Sequence, residues 1–174
     1  MPETDLSGRK RRHAADNLRI GATALIILGL WSSVQMYANL LDNWGPLQET
    51  LQLAQTEGMA KRQLYLVLFM TLLMITAAVM AVHLYIGLSA RAFAAGKKRV
   101  PPYRILAGLM AASAAISVIV SLFDLVTEEE SRGNSASVII NLTLIYALLS
   151  IIVHTTRLKK LRREKAAALQ AGKE

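Results

Sequence analysis

The 174-residue chain is 53% hydrophobic and only 6% aromatic, yet it carries a formal charge of +8. So apolar a composition does not suit a soluble domain of this size, but it is normal where apolar and charged residues are segregated along the chain, as they are here. The lack of cysteine excludes disulfides, thiolate metal sites and cysteine nucleophiles.

Residues 1–18 are polar and basic and are expected to form a cytoplasmic tail, disordered up to the membrane. An apolar run follows at about residues 20–41. It is longer than the apolar core of a signal peptide, and no small-x-small cleavage pattern follows it, so an uncleaved first helix is expected. Three more apolar runs cover about residues 64–90, 105–125 and 137–155. A helix needs about 20 residues to cross a hydrocarbon core of about 30 Å. Lipid offers backbone groups no partner, so each run must bond within itself as a helix. The expected fold is all-α, an integral four-transmembrane-helix bundle spanning residues 19–157.

The first connection, Asp42–Ala60, contains "WGPLQETLQLAQTEG". Pro46 suits a first helical turn, Glu49 sits near the start and Gly58 suits a stop. Leu47, Leu51 and Ala54 recur at helical spacing. A short external amphipathic helix is expected on the membrane surface or over the bundle mouth, with Trp44 at the interface. The second connection, "RAFAAGKKRVPPYR", ends one helix, turns at Gly96 and restarts after Pro101 and Pro102. The third is short and acidic, and Asn134 or Ser135 can cap the helix that follows. Beyond Arg157 the last helix is expected to run on into a basic juxtamembrane segment, residues 158–174, suited to anionic lipid headgroups.

Seventeen of the twenty Lys and Arg residues lie in the N-terminal segment up to Arg19, the Arg91–Arg104 loop and the segment from Arg157 onward. The other three are Lys61, Arg62 and Arg132. Basic residues in short loops stay cytoplasmic, so both termini and the 91–104 loop are expected inside.

Polar residues recur on one face near the outer ends of the runs. Ser32, Gln35, Asn39 and Asp42 follow 3-4-3 spacing; Ser113, Ser117, Ser121 and Asp124 follow 4-4-3. Asn141 adds to the same level. Gln35, Asn39, Asp42, Ser121, Asp124 and Asn141 therefore form a candidate outer polar cluster. It is either interhelix glue or a hydrated vestibule in which Asp42 and Asp124 hold a cation. Gly29 with Ser33, and Ala107, Ala111 and Ala115 with Gly108 and Ala112, offer small faces for helix packing.

Two histidines, His83 and His154, lie toward the inner side. Their unlike depths argue against a shared haem. His83 is expected to bond a neighbouring tyrosine or carbonyl. Met70, Met74 and Met80 read as core filler. No P-loop, nucleophile elbow or HExxH is present, so no enzyme class is supported and no cofactor or metal is expected. Nor does any feature beyond the basic segments point to nucleic acid. The expected function is a small scaffold, accessory subunit or regulator acting through helix–helix contacts, as a homodimer or with another membrane protein. The alternative is a small transporter or channel with an outward-facing polar vestibule. A bacterial plasma membrane is the expected location.

Overall fold

A computed structural model describes the backbone of residues 3–42, 45, 49, 61–97, 102–127 and 134–171. Side chains are described for these residues except at 3–7, 39, 42, 61, 62, 64, 124–127 and 134–137. Four helices occupy the described residues: α1 Glu3–Asp42, α2 Lys61–Ala94, α3 Tyr103–Thr127 and α4 Asn134–Ala171. Each is long and apolar enough to cross a membrane. The expected external helix falls largely outside the described residues, though Gly45 and Glu49 are helical.

The helices outrun the apolar stretches that reveal them. α1 has 40 residues and α4 has 38, against the roughly 20 that span a bilayer. Residues 3–18 are thus helical rather than the disordered tail expected from their polarity. Two apolar residues among the charges explain the difference: Ala14 and Leu18 are buried. They continue the face of Ala22 and Leu25 at 4-4-3 spacing, so one stripe runs from the apolar segment into the charged one. The extension of α4 supplies a neighbour, since Gly8 and Arg11 border a cleft shared with Leu161 and Leu169.

The described residues divide into two units. One combines residues up to Ile26 with those from Tyr85 onward; the other is Ile27–Leu84. In the first, each helix buries a narrow stripe. α2 contributes Ile86, Ala90 and Phe93, and α3 contributes Tyr103, Ala107, Ala111, Ala114 and Val118. α4 contributes Leu144, Ala147, Leu148, Ile151, Thr155 and Leu158. Much of this surface is alanine or glycine. The buried stripe of α3 runs through Ala114 rather than Ala115, while Ala112 is exposed and Gly108 meets nothing. A 4-4-3-4 progression stays on one face of a 3.6-residue helix, whereas strict fours drift around it.

Small residues set how close the helices come. A Cβ at Gly87 of α2 would lie 2.6 Å from the Ile26 side chain and 3.0 Å from the Ala22 carbonyl oxygen of α1. At Gly21 of α1 a Cβ would meet Ile151 of α4 at 3.4 Å, ordinary contact at its near limit.

The end of α2 is capped by its own backbone. The Lys97 N–H donates to the Ala92 carbonyl at 3.3 Å and the Gly96 N–H to that of Phe93 at 3.1 Å. This is the Schellman pattern, and it requires a left-handed residue, which Gly96 supplies with φ of 104°. On the far side of the prolines, the Ile105 N–H donates to the Pro102 carbonyl at 3.0 Å and starts α3.

The two glycines on α2 and α3 should therefore respond oppositely to one methyl group. Gly87→Ala is expected to destabilise the fold by about 1–3 kcal/mol through overpacking. Gly108→Ala, in open space on a helix, should be neutral or stabilising by up to about 1 kcal/mol. Thermal unfolding of both variants in one mild detergent measures this, and equal midpoints would contradict the close α1–α2 approach.

Candidate functional site

The first unit concentrates its described side-chain hydrogen bonds between helices at one end. Tyr103, at the start of α3, is fully buried and its hydroxyl meets that of Thr155 on α4 at 2.8 Å. Next to it, Arg104 Nη2 donates to the Thr156 hydroxyl at 2.9 Å. These bonds fix the register of α3 against α4. Both α4 hydroxyls lie in the last turns of its apolar stretch, within reach of the first residues after the prolines.

Further along α4, Arg162 reaches across to the end of α2. Its Nη2 donates to the Phe93 carbonyl at 2.8 Å, and the guanidinium lies 4.5 Å from the centre of the Phe93 ring. A helix ends in carbonyls that lack an intrahelical partner and carry a partial negative charge. Gly96 N–H and Arg162 together satisfy the Phe93 carbonyl, and the ring receives the planar cation. Arg11 and Arg12 of α1 border the same place. With Arg162, Gly96 and Leu158 they enclose a cleft of about 310 Å³. A second cleft, about 590 Å³, shares Arg11 and lies between Gly8 of α1 and Leu161, Glu164 and Leu169 of α4.

A third cleft, of about 340 Å³, lies between α1 and α4, at the start of the apolar stretch of α1. Asn17, Thr143, Ser150 and His154 contribute to its lining. His154 is half-buried, and its Nδ1 has no hydrogen-bond partner among the described residues.

In the second unit, His83 of α2 packs against Gly29 of α1. A Cβ at Gly29 would come within 2.7 Å of both the Cβ and Cγ of His83. Gly29 thus makes room for an imidazole, rather than forming a plain small-residue ridge with Ser33. The Ser33 hydroxyl instead donates within its own helix, to the Gly29 carbonyl at 3.0 Å. His83 is only 4% exposed, and its Nδ1–H donates to the Val79 carbonyl at 2.8 Å. The expected carbonyl partner is found, one turn back on the same helix.

Of the candidate outer cluster, Gln35, Ser121 and Asn141 are half-buried. Asn39, Asp42 and Asp124 have helical backbone, but their side chains lie outside the described residues. Gln35, Asn39 and Asp42 belong to one unit and Ser121, Asp124 and Asn141 to the other, as do His83 and His154 respectively. Within the first unit, Ser113 and Ser117 of α3 are exposed. No group of three or more His, Asp or Glu side chains suited to a metal ion occurs among the described residues.

Reading the sequence for charge missed the convergence of Arg11, Arg12 and Arg162. Each is one of many basic residues, and no spacing marks these three. Two signals bear on it: the stripe through Ala14 and Leu18, which continues α1 into its charged segment, and Phe93 just before the Gly96 turn.

Comparison with protein-family models, with curated protein sequences and with solved structures finds no match.

The Tyr103–Thr155 bond gives a clean test of how α3 and α4 are joined. Thr155→Val keeps the shape but leaves the buried Tyr103 hydroxyl without its partner, a change expected to cost about 1–3 kcal/mol. Adding Tyr103→Phe should restore much of that loss, because neither group is then left unpaired. Unfolding of the two single variants and the double variant in detergent measures the coupling; strict additivity would show that the bond contributes nothing.

Proposed function

We propose that this chain is a multi-pass membrane protein that acts through helix–helix contacts, as a scaffold, accessory subunit or regulator. It resides in a plasma membrane, with both termini and the 91–104 loop in the cytoplasm. The reading assigns it no catalytic chemistry.

The observation that carries this reading is the surface left outside the core. Ser113 and Ser117 flank the buried stripe of α3 yet are exposed, at positions deep in an apolar helix. A serine face lets a neighbouring helix approach closely and can offer it a hydrogen-bond partner as well. The outer part of α2 adds an apolar surface. Leu66, Val67, Phe69, Met70, Leu73 and Met74 are all exposed, with Met74 at 73%. So continuous an apolar surface belongs against lipid or against another helix.

The orientation rests on the distribution of basic residues. The chain contains no cysteine, so single cysteines report cleanly. Ser131→Cys should react with an impermeant maleimide in intact cells, and Gly96→Cys should react only after lysis. The reverse pattern would invert the proposed topology.

Ala111 and Ser117 separate folding from association. Ala111 is buried on α3, so Ala111→Leu should lower the unfolding midpoint through overpacking. Ser117 is exposed, so Ser117→Leu should leave the midpoint in place and weaken capture of a partner. Mass spectrometry of what co-purifies with the tagged chain from native membranes in mild detergent reads the second effect. A stoichiometric partner, or a second copy, lost with Ser117→Leu is the expected result. The same stoichiometry in wild type and variant would remove this face from the proposal.

The second reading, a small transporter or channel, rests on the polar positions Gln35, Ser121 and Asn141 in the sequence. It is favoured if the chain purifies alone and conducts solute when reconstituted into vesicles.

A further inference from the structure

The cleft at the end of α2 gathers three guanidinium groups where the fold has no need of three. Arg162 has a structural role, since it satisfies the Phe93 carbonyl and covers the Phe93 ring. Arg11 and Arg12 have none of that kind. Both border the cleft of about 310 Å³, and among the described residues neither is paired with a carboxylate. Arg11 is half-buried and close enough to Arg162 for the two cations to repel.

The nearby acid on α4 does not relieve this. Glu164 lies 4.0 Å from Lys160, one turn back on its own helix, and borders the neighbouring cleft. Other basic side chains of the same helix, Arg157 and Arg163 among them, are exposed and dissipate their charge into solvent. Arg11 and Arg162, both half-buried, are instead brought together by the packing of α1 against α4, with the more exposed Arg12 bordering the same cleft, and like charges in a partly desolvated cleft repel more strongly than in water.

We propose that Arg11, Arg12 and Arg162 form a binding site for a phosphate group, carried by an anionic lipid headgroup or by a soluble phosphate compound. A guanidinium presents a planar fork of N–H donors that matches two oxygens of a phosphate. Arg162 uses one Nη2 hydrogen bond on Phe93 and keeps the rest of its fork for a ligand. Arg11 and Arg12, on consecutive positions of α1, approach the cleft from the other wall. The anion cancels the repulsion between α1 and α4, so binding also ties the two helical extensions together. Place favours the lipid source: the cleft lies about two turns past the apolar stretches of α1 and α4, close enough for long arginine side chains to reach the headgroup layer. The site does not depend on whether the chain acts as a scaffold or as a channel.

The full chain, purified in mild detergent, should be titrated with phosphatidylglycerol, with phosphatidylcholine and separately with inorganic pyrophosphate, and bound adducts counted by native mass spectrometry. Phosphatidylglycerol should bind at least tenfold more tightly than phosphatidylcholine. The double variant Arg11→Gln/Arg12→Gln should lower that affinity about tenfold, while Arg157→Gln/Arg163→Gln, which removes the same charge from exposed positions, should change it less than twofold. An unfolding midpoint measured alongside shows whether the double variant remains folded, and if it does not, Arg12→Gln alone carries the comparison, since Arg12 is exposed. Phosphatidylglycerol binding that pyrophosphate cannot displace identifies the headgroup as the source. Pyrophosphate binding with the same dependence on Arg11 and Arg12 identifies a soluble phosphate compound. Binding of neither, or an equal loss in the Arg157/Arg163 control, would overturn the site and leave only diffuse attraction by charge.

Discussion

Close van der Waals contact between small-residue faces is the constraint on which the first unit depends. Lipid tails are as apolar as leucine, so burial of apolar side chains gives membrane helices little reason to associate. What remains is dispersion between well-matched surfaces, and this grows as backbones approach. Gly87 lets the Ile26 side chain and the Ala22 carbonyl come against the backbone of α2, and Gly21 admits Ile151. Ala107, Ala111 and Ala114 give α3 a face with almost no relief. The Tyr103–Thr155 bond depends on that closeness: Thr155 reaches only a short way from α4 to meet the longer Tyr103 at 2.8 Å, and bulkier residues beside it would hold α3 and α4 apart.

The same constraint explains which polar groups these helices tolerate. Thr76 donates to the Leu72 carbonyl at 2.8 Å and Thr143 to the Ile139 carbonyl at 2.8 Å, each one turn back on its own helix. Ser33 does the same to Gly29. A hydroxyl bonded in this way satisfies its donor without a neighbour and so can face lipid or protein alike. His83 follows the same pattern through Nδ1. A polar residue in an apolar run is therefore weak evidence for a vestibule, and the exposed Ser113 and Ser117 matter because of the face they occupy rather than their hydroxyls alone.

The apolar runs made all four helices legible, because the need to satisfy backbone groups in lipid leaves no other structure for such segments. The start of the first was not legible, whereas the run of the last past Arg157 was. Polarity made residues 3–18 look irregular, since a charged helix with no partner is marginal in water. Only the phase of Ala14 and Leu18 relative to Ala22 and Leu25 reveals a continuous buried stripe, and two small apolar residues among charges are easily overlooked. The turn at Gly96 was readable from the glycine and the prolines beyond it. The Arg162 contact was not, because it joins residues 69 apart along the chain. For the outer polar positions, spacing gives a shared face on each helix but no neighbour. It placed Ser121 and Asn141 at one level and left open what each of them meets.

Basic residues at the end of a membrane helix are usually credited to topology alone, and the Arg162 contact shows why that is incomplete. Topology depends on how many positive charges lie on a side, not on which residues carry them. Arg162 is one of seventeen basic residues in the three basic segments, so its loss would scarcely alter that balance. Yet only a residue at this position on α4 reaches the Phe93 carbonyl while laying its guanidinium over the ring. Lysine would keep the charge but present a point donor on a flexible stem in place of a planar fork that can stack and donate together. Charge number and charge position are thus set by different demands. Where a basic side chain is held by a specific contact, as Arg162 is, or drawn to a shared cleft, as Arg11 and Arg12 are, orientation in the membrane does not explain where it sits.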